Sequence, residues 1–187
     1  MKISDTNIEG ILIIQPDVFE DERGYFFESY SRKKFWEEGL ELNFVQDNIS
    51  KSKKGTIRGL HYQIGKSAQG KLCHVISGKV LDVAVDIRFN SPTYGKHVSQ
   101  ILSEENHTQI WIPPGFAHGF AVLSGEAIFH YKCTNYYNKA DERAILFNDP
   151  EININWEIES PMVSEKDLRA KKFAEVDNDF EFIENKN

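Results

Sequence analysis

Four side chains in this sequence could together move protons at a carbon atom. His61 offers a base, Tyr131 an acid, Lys71 a cation for a developing oxyanion, and Asp167 a carboxylate that could orient the imidazole. These groups suffice to remove a proton next to a carbonyl and to return one from the opposite face. Each also has a purely structural explanation: a bonded core histidine, a core tyrosine, a lysine at a strand end, or an aspartate in a helix capping box.

The segment 58–63 reads Arg-Gly-Leu-His-Tyr-Gln and brings a cation, a titratable base and a phenol close together. Alone, it is explained better by core hydrogen bonds than by chemistry. An arginine can bind a phosphate or diphosphate through two parallel hydrogen bonds, so Arg23 and Arg58 are candidate phosphate ligands. Gly59 could let the backbone pass close to a ligand.

The spacing of the histidines argues against a metal centre. A cupin-type metal site needs two histidines one residue apart, and neither His61 nor His118 has such a neighbour. Cys73 and Cys133 are the two cysteines of the chain, and they form no Cys-x-x-Cys pair. Structural zinc sites usually have such pairs, so the sequence argues against zinc ligation by cysteine. We therefore expect no bound metal, and two reduced core thiols rather than a disulfide.

The candidate residues fall on short segments with the alternation of β-strands. Segments 71–76 and 79–88 predict a hairpin that turns at 77–78, with Lys71 on the face of Cys73 and Val75. By the same alternation Tyr131 lies on the face of Phe129 and Cys133. Further strands are predicted around 97–103, 109–112, 118–124 and 126–136. Many short strands between turn signals are typical of an all-β sandwich or barrel.

Two helices and a loose end complete the predicted elements. Segment 31–40 predicts a small helix that Ser31 can cap and Gly39 can end. Segment 164–175 predicts a helix that opens with Ser164 and Asp167 at capping-box spacing. Residues 178–187 are charged, and we expect them to be loosely held.

Composition excludes several classes of function. The chain has 187 residues, which suits a single domain over 1–187. A net charge of −7 argues against general binding of nucleic acid or anionic membrane. The sequence contains no signal-peptide pattern and no apolar run of about 18 residues, the length that spans a bilayer. We expect a cytoplasmic protein with no membrane or nucleic-acid partner.

Motifs in a fixed order run along nearly the whole chain, at 21–24, 43–48, 58–63, 69–71, 82–88, 115–120, 131–134 and 164–167. Together they resemble the dTDP-4-dehydrorhamnose 3,5-epimerase family. The resemblance implies an all-β, cupin-like jelly roll (a double-stranded β-helix) with a few short helices, no catalytic metal and no cofactor. It also implies a homodimer that exchanges an N-terminal segment of about residues 1–30, and a C-terminal helical tail over 162–187.

The resemblance also implies roles for individual residues. His61 resembles the general base, Asp167 its dyad partner, Lys71 the cation at the C4 oxygen of the enolate, and Tyr131 the acid on the opposite face. In the same way Tyr137 resembles a ring that stacks on thymine, whereas Arg23 and Glu28 would reach the partner's site. The substrate-binding residues implied are Arg23, Glu28, Gln46, Asp47, Asn48, Arg58, His118, Tyr137, Glu142 and Lys166.

The implied activity is inversion of C3 and C5 of dTDP-4-dehydro-6-deoxy-α-D-glucose to give dTDP-4-dehydro-β-L-rhamnose, in dTDP-L-rhamnose biosynthesis. Two departures from the family stand out: the loop 64–68, and His74, which should face away from Lys71 and be structural. Alternatives are a mono-epimerase, or a ketoisomerase, acting on a related nucleotide-linked 4-keto sugar. A non-catalytic sugar-nucleotide binding module and a metal-dependent cupin oxygenase explain the residues less well.

Overall fold

Two facing β-sheets form the structure, a computed structural model that describes residues 1–184. The first sheet has the order β1 (Lys2–Asp5), β2 (Leu12–Gln15), β10 (Gln109–Ile112), β7 (Lys71–Ser77), β12 (Glu126–Cys133) and β5 (Gln46–Lys53). The second has the order β13 (Glu142–Ala144), β6 (Thr56–Gln63), β11 (Phe116–Val122), β8 (Lys79–Asp86) and β9 (His97–Ser103), with β14 (Met162–Val163) beside β6. A separate ribbon joins β3 (Phe19–Asp21) to β4 (Gly24–Phe26).

Alternate residues of the two sheets fill the layer between them. Cys73 and Phe129 come from the first sheet, Ala84 and Phe120 from the second, and all belong to one buried apolar cluster. The rings of Phe120 and Phe129 stack across the layer with their centroids 4.2 Å apart. Burial of such a shared face is the main force that holds two sheets together. The all-β jelly-roll prediction is confirmed.

The predicted hairpin over 71–88 is wrong, although both of its strands exist. β7 pairs with β10 and β12, whereas β8 pairs with β9 and β11, so the turn carries the chain from one sheet to the other. Gly78 makes this turn with φ +85°, and a Cβ there would lie 2.2 Å from the Glu126 carbonyl oxygen. A glycine-containing turn between two alternating strands is equally compatible with both connections, so the local sequence could not decide.

The outer face of the second sheet is covered by the C-terminal part of the chain. Val83 and Val85 of β8 belong to a second buried cluster that includes Trp156 and Phe173. Both faces of β8 are therefore buried, which explains the continuous burial of this strand. The same covering segment continues past 163 to the residues that close the functional cleft.

The helices are shorter than the sequence suggests. α1 (Arg32–Glu37) begins after Ser31, whose backbone carbonyl accepts a hydrogen bond from the Phe35 N–H at 3.0 Å. Ser31 occupies the N-cap position, but the predicted capping bond from its side chain is not formed. Gly39 follows its end with φ +82°, as predicted. Across residues 1–184, every helix is too short or too polar to cross a membrane.

The helix predicted for 164–175 is wrong beyond its first turn. α2 (Glu165–Leu168) is followed by a bridge between Lys171 and Ile145 and by a 3₁₀ turn, Phe173–Glu175. The Phe173 ring packs into the second cluster, and its N–H donates to a carboxylate oxygen of Asp149 at 2.9 Å. These tertiary contacts outweigh the helical preference of the segment.

The end of the chain is less loose than expected. The backbone of Phe89 is hydrogen-bonded to Phe180 and Phe182, each at 2.9 Å. The Arg88 guanidinium also lies 5.0 Å from the Phe182 ring centroid. Between residues 162 and 184 the helices of the predicted C-terminal helical tail are limited to α2 and one 3₁₀ turn, Phe173–Glu175, and residues 185–187 of that prediction lie outside the described residues.

Candidate active site

A cleft of about 530 Å³ opens between the sheets and is closed on one side by α2. A second pocket of about 300 Å³ adjoins it and shares His61, Lys71 and Tyr131 with it. The four candidate catalytic side chains all line the first cleft, together with Arg58 and His118. The predicted constellation is thus brought to one place from both sheets and from α2.

A bulge in β6 turns both Arg58 and His61 into the cleft. His118 of β11 pairs with His61 and Phe120 pairs with Arg58, so three steps along β6 match two along β11. Without the extra residue, alternation would put Arg58 and His61 on opposite faces. Gly59 has φ +133°, and a Cβ there would lie 2.5 Å from the Gly119 Cα. Gly59 thus permits close approach of two strands, rather than of a ligand as the sequence suggested.

His61 and Asp167 form a short hydrogen-bonded dyad. His61 Nε2 lies 2.6 Å from Asp167 Oδ1, and Asp167 is only 3% exposed. Burial acts to raise the pKa of Asp167, but hydrogen bonds from His61 and Ser164 outweigh burial and lower the pKa below its ordinary value. The Asp167 N–H also donates to Ser164 Oγ at 3.1 Å. Ser164 therefore caps α2 with its side chain, whereas the Asp167 carboxylate serves the dyad with His61.

The dyad decides which nitrogen of His61 can act as a base. Because Asp167 is ionised, it accepts the Nε2 hydrogen of a neutral imidazole, and the lone pair is left on Nδ1. The His61 side chain is 31% exposed, in contrast to the buried carboxylate behind it. Its free nitrogen is thus available to a molecule in the cleft.

Lys71 and Tyr131 stand on the opposite wall, on the inner face of the first sheet. Lys71 Nζ lies 5.9 Å from the Tyr131 ring centroid and 3.4 Å from the His61 backbone carbonyl oxygen, to which it donates. Burial raises the pKa of Tyr131 to about 12, so its phenol stays protonated near neutral pH. A base on one wall therefore faces a proton donor on the other, with an ammonium group beside them.

His118 lies deeper in the cleft and is held by a buried carboxylate that the sequence did not single out. Its Nε2 is 2.9 Å from Asp82 Oδ2, and both residues are buried. Burial lowers the pKa of His118, although Asp82 opposes this shift, so the imidazole is neutral. The available signal was the charge of Asp82 between the apolar residues Leu81 and Val83 in the middle of β8, on the face of Ala84.

The second pocket receives Gln46 and Asn48 but not Asp47. Gln46 and Asn48 face inwards from β5, and their side chains are hydrogen-bonded to each other at 3.1 Å. Asp47 lies on the outer face, where its carboxylate pairs with Lys132 Nζ at 2.7 Å. The prediction that Asp47 binds substrate is therefore wrong for this chain's own cleft, because successive residues of a strand point to opposite faces.

A small polar network lies at the mouth of the second pocket. The Tyr137 hydroxyl donates to Glu142 Oε2 at 3.0 Å, and the same oxygen pairs with Lys166 Nζ at 2.5 Å. Tyr137 is 51% exposed, so one face of its ring is open to a stacking partner. All three predicted residues are thus near the cleft, on three different segments.

Arg23 and Glu28 lie away from the cleft of their own chain. Arg23 is on the turn of the β3–β4 ribbon, where its guanidinium pairs with Asp21 and its side chain is 85% exposed. Glu28 forms an ion pair with Lys34 of α1. Their assignment to a substrate site stays a prediction that depends on a partner subunit.

His74 lies on the outer face of β7, as predicted. Its Nδ1 is 3.3 Å from the Nδ1 of His130, and the pKa of His74 is lowered to about 4 by burial and by His130. Cys73 and Cys133 are buried free thiols, as expected. One group of side chains could hold a metal ion, however: ligand atoms of Cys73, Asp82 and His118 all lie within 4.8 Å of one another.

Comparisons with known proteins agree on one family. The sequence model of the family described as dTDP-4-dehydrorhamnose 3,5-epimerase matches residues 5–175. A dTDP-4-dehydrorhamnose 3,5-epimerase of Shigella flexneri is 54% identical over 178 residues, which cover 95% of this chain and 98% of that protein.

Solved structures are similar over the same length. A dTDP-6-deoxy-D-glucose-3,5-epimerase from Legionella pneumophila Philadelphia 1, in complex with dTDP-4-keto-L-rhamnose, has a TM-score of 0.91 at 50% identity and 94% coverage of each chain. A dTDP-4-dehydrorhamnose 3,5-epimerase from Elizabethkingia anophelis NUHP1 has a TM-score of 0.87 at 53% identity, covering 93% of this chain and 97% of that one.

Proposed function

This chain belongs to the dTDP-4-dehydrorhamnose 3,5-epimerase family, and we propose that the cleft between its sheets carries out that reaction with its own side chains. The enzyme inverts C3 and C5 of dTDP-4-dehydro-6-deoxy-α-D-glucose and supplies dTDP-4-dehydro-β-L-rhamnose for dTDP-L-rhamnose biosynthesis. One observation supports the mechanism most strongly. His61 and Tyr131 lie on opposite walls of the cleft, so a proton can leave one face of a carbon and return to the other.

The chemistry follows from the ketone of the substrate. The C4 carbonyl acidifies the hydrogens on C3 and C5, and His61 Nδ1 removes one of them. The resulting enolate carries its negative charge on the C4 oxygen, where the Lys71 ammonium stabilises it. Tyr131 then donates its phenolic proton to the opposite face of the same carbon. The pair is reset when His61 loses its proton and Tyr131 regains one.

Asp167 prepares His61 for this step without touching the sugar. Its ionised carboxylate fixes the Nε2–H tautomer and stabilises the imidazolium that forms when Nδ1 takes a proton. Burial of Asp167 keeps water away from this bond and strengthens it. We therefore regard Asp167 as the positioning residue of the dyad.

The nucleotide and the sugar are bound by different parts of the cleft. We assign the thymine to the exposed face of Tyr137 and the sugar to the region of His118. Arg58 and Lys166 are the cations available for the diphosphate. Glu142, Gln46 and Asn48 complete the polar lining of the second pocket. Such local cations are needed because the chain as a whole carries a net charge of −7.

We propose further that the enzyme is a homodimer that exchanges its N-terminal segment of about residues 1–30. The β3–β4 ribbon displays three large exposed side chains, Phe19, Tyr25 and Phe26. Exposed apolar groups clustered on a projecting ribbon are typical of an interaction surface. In this assembly Arg23 and Glu28 would enter the partner's cleft. Cys73 and Cys133 are buried and form no disulfide with each other, which fits the cytoplasmic location that we propose.

The exchange can be tested by complementation. Arg23→Ala and His61→Asn should each be nearly inactive alone, because each damages every cleft of its own homodimer. In a mixed dimer, the cleft with an intact His61 receives the intact Arg23 from its partner. Coexpression should therefore restore about a quarter of the wild-type activity per chain, as expected for random pairing. Activity no greater than the sum of the two variants would refute the exchange.

The overall function is tested by proton NMR in D2O with dTDP-4-keto-6-deoxy-D-glucose. Deuterium should enter at both C3 and C5, and a 4-keto reductase with NADPH should then yield dTDP-L-rhamnose. Exchange at only one carbon would instead indicate a mono-epimerase. If deuterium entered at neither C3 nor C5, the assigned substrate would be contradicted.

A further inference from the structure

Three side chains with different ligand chemistry meet beside the cleft, and one of them, His118, is part of its lining. Cys73 comes from β7 of the first sheet, whereas Asp82 and His118 come from β8 and β11 of the second. His118 Nε2 lies 2.9 Å from Asp82 Oδ2 and 3.9 Å from Cys73 Sγ. All three residues are buried, and their ligand atoms fit within 4.8 Å of one another. Bonds of about 2.0–2.3 Å from one ion to N, O and S ligands produce separations of this size.

Asp82 is not fully satisfied by this contact. Its Oδ1 is buried and has no hydrogen-bond partner within residues 1–184. A buried carboxylate oxygen without a partner is costly and calls for an explanation such as an ion or a water. The Asp82–His118 bond could by itself be a structural pair, but a purely structural pair explains neither the unpartnered oxygen nor the thiol that approaches the same nitrogen.

From this geometry we propose that Cys73, Asp82 and His118 form a site for a thiophilic divalent cation, with Zn²⁺ as the ion of best fit. Thiolate, imidazole and carboxylate are all zinc ligands, whereas Mg²⁺ and Ca²⁺ select oxygen ligands alone. The ion displaces the Cys73 thiol proton, which passes to the solvent. The proton that His118 Nε2 shares with Asp82 moves through solvent to Nδ1, which frees the Nε2 lone pair for the ion and keeps the imidazole neutral. Two anionic ligands and a neutral imidazole then balance the two positive charges of the ion.

Occupation of this site inhibits the enzyme, an expectation that rests on the proposed function. His118 lines the catalytic cleft, and coordination takes its Nε2 lone pair and fixes its ring. The ion also places positive charge and its own open coordination position where the sugar should lie. Cys73 itself is absent from the proposed catalytic and substrate-binding residues. The sequence argued against a metal because it lacks the histidine and cysteine spacings of known metal sites. Spacing along the chain cannot detect ligands that come from two different sheets.

Binding is tested first without any activity assay, using Co²⁺ as a spectroscopic substitute for Zn²⁺. The full-length enzyme treated with chelator should bind a single Co²⁺ per chain and show a thiolate-to-cobalt charge-transfer band. Cys73→Val and Cys73→Ala should both abolish the band while keeping the circular dichroism of the wild type. His74→Gln is the matched control, because it removes a histidine from the other close histidine pair, and it should keep the band. A band that survives in both Cys73 variants, or no band in the wild type, would overturn the site.

Inhibition is then measured as the decrease in the rate of deuterium exchange into the sugar as the Zn²⁺ concentration is raised. The Cys73→Val variant should need at least roughly a hundredfold more Zn²⁺ for half-inhibition, by analogy with losses seen when zinc sites are disturbed. Its turnover without metal should equal that of the wild type, and chelator should restore the inhibited wild type. Equal Zn²⁺ sensitivity of the two proteins would refute inhibition through this site. A failure of the proposed epimerase function would instead leave the Co²⁺ spectrum unchanged.

Discussion

The His61→Asn variant should lose deuterium exchange at both C3 and C5, with turnover lower by about 10²- to 10⁴-fold, the range that general base catalysis contributes. The shorter amide of asparagine does not reach the position of Nε2 beside Asp167, and it has no lone pair basic enough to take a carbon-bound proton. Because the same base serves both carbons, the two exchange rates should fall together. Proton NMR in D2O reads both carbons in one experiment.

The matched control for this variant is His74→Gln, which changes a histidine on the outer face of β7. It should leave both exchange rates within about twofold of the wild type, as is usual for substitutions away from a site. Exchange at C5 that survives in His61→Asn, while exchange at C3 is lost, would show that a second base serves C5. Full retention of both rates would remove His61 from the mechanism.

The strands were predictable because they depend on local alternation and on turn residues. The predicted segments 97–103 and 109–112 match β9 and β10 to the residue. The separation of β7 and β8 into different sheets was not predictable, because the turn at Gly78 reads the same whether the chain stays in one sheet or changes sheets. The helix predicted after Ser164 failed for a related reason, since burial of Phe173 is a tertiary contact that local propensity does not contain.

The site shows the same limit at the level of single residues. Alternation correctly placed Lys71 and Tyr131 on inward faces of their strands. It could not place Arg58 and His61 on one face, because the bulge that does so depends on the close approach of Gly59 to the neighbouring strand. Asp47 was predicted to bind substrate because of the family resemblance. The alternation of side chains along β5 instead places it on the outer face, away from Gln46 and Asn48.

Contacts between the sheets were the least accessible to sequence reasoning. Asp82 and His118 are diagonal neighbours on adjacent strands, and Cys73 reaches them from the facing sheet. No spacing along the chain encodes this meeting, since it depends on strand order and on the distance between sheets. His61 and Tyr131, the proposed base and acid, meet in the same way, from β6 and β12.

The Tyr131→Phe variant should separate proton removal from inversion. His61 can still form the enolate and return a solvent deuteron to the face from which the proton left. Exchange should therefore persist within about tenfold of the wild type, whereas inverted product should fall by about 10²- to 10⁴-fold, the range for loss of a general acid. The ring of phenylalanine fills the same space, so the buried position of residue 131 is kept. Proton NMR measures exchange and configuration on the same sugar.

The matched control is Tyr94→Phe, which removes a hydroxyl from a ring packed against Phe173, outside the cleft. It should alter neither exchange nor inversion. Equal loss of exchange and inversion in Tyr131→Phe would mean that the phenol helps to form the enolate and is not only the final donor. Unchanged inversion would assign the second proton to another group, and Lys71, at 5.9 Å from the ring centroid, would be the first to test. Measuring the rate of deuterium exchange separately from the rate of inversion therefore distinguishes a proton donor on the opposite wall from one that acts on the same face as His61.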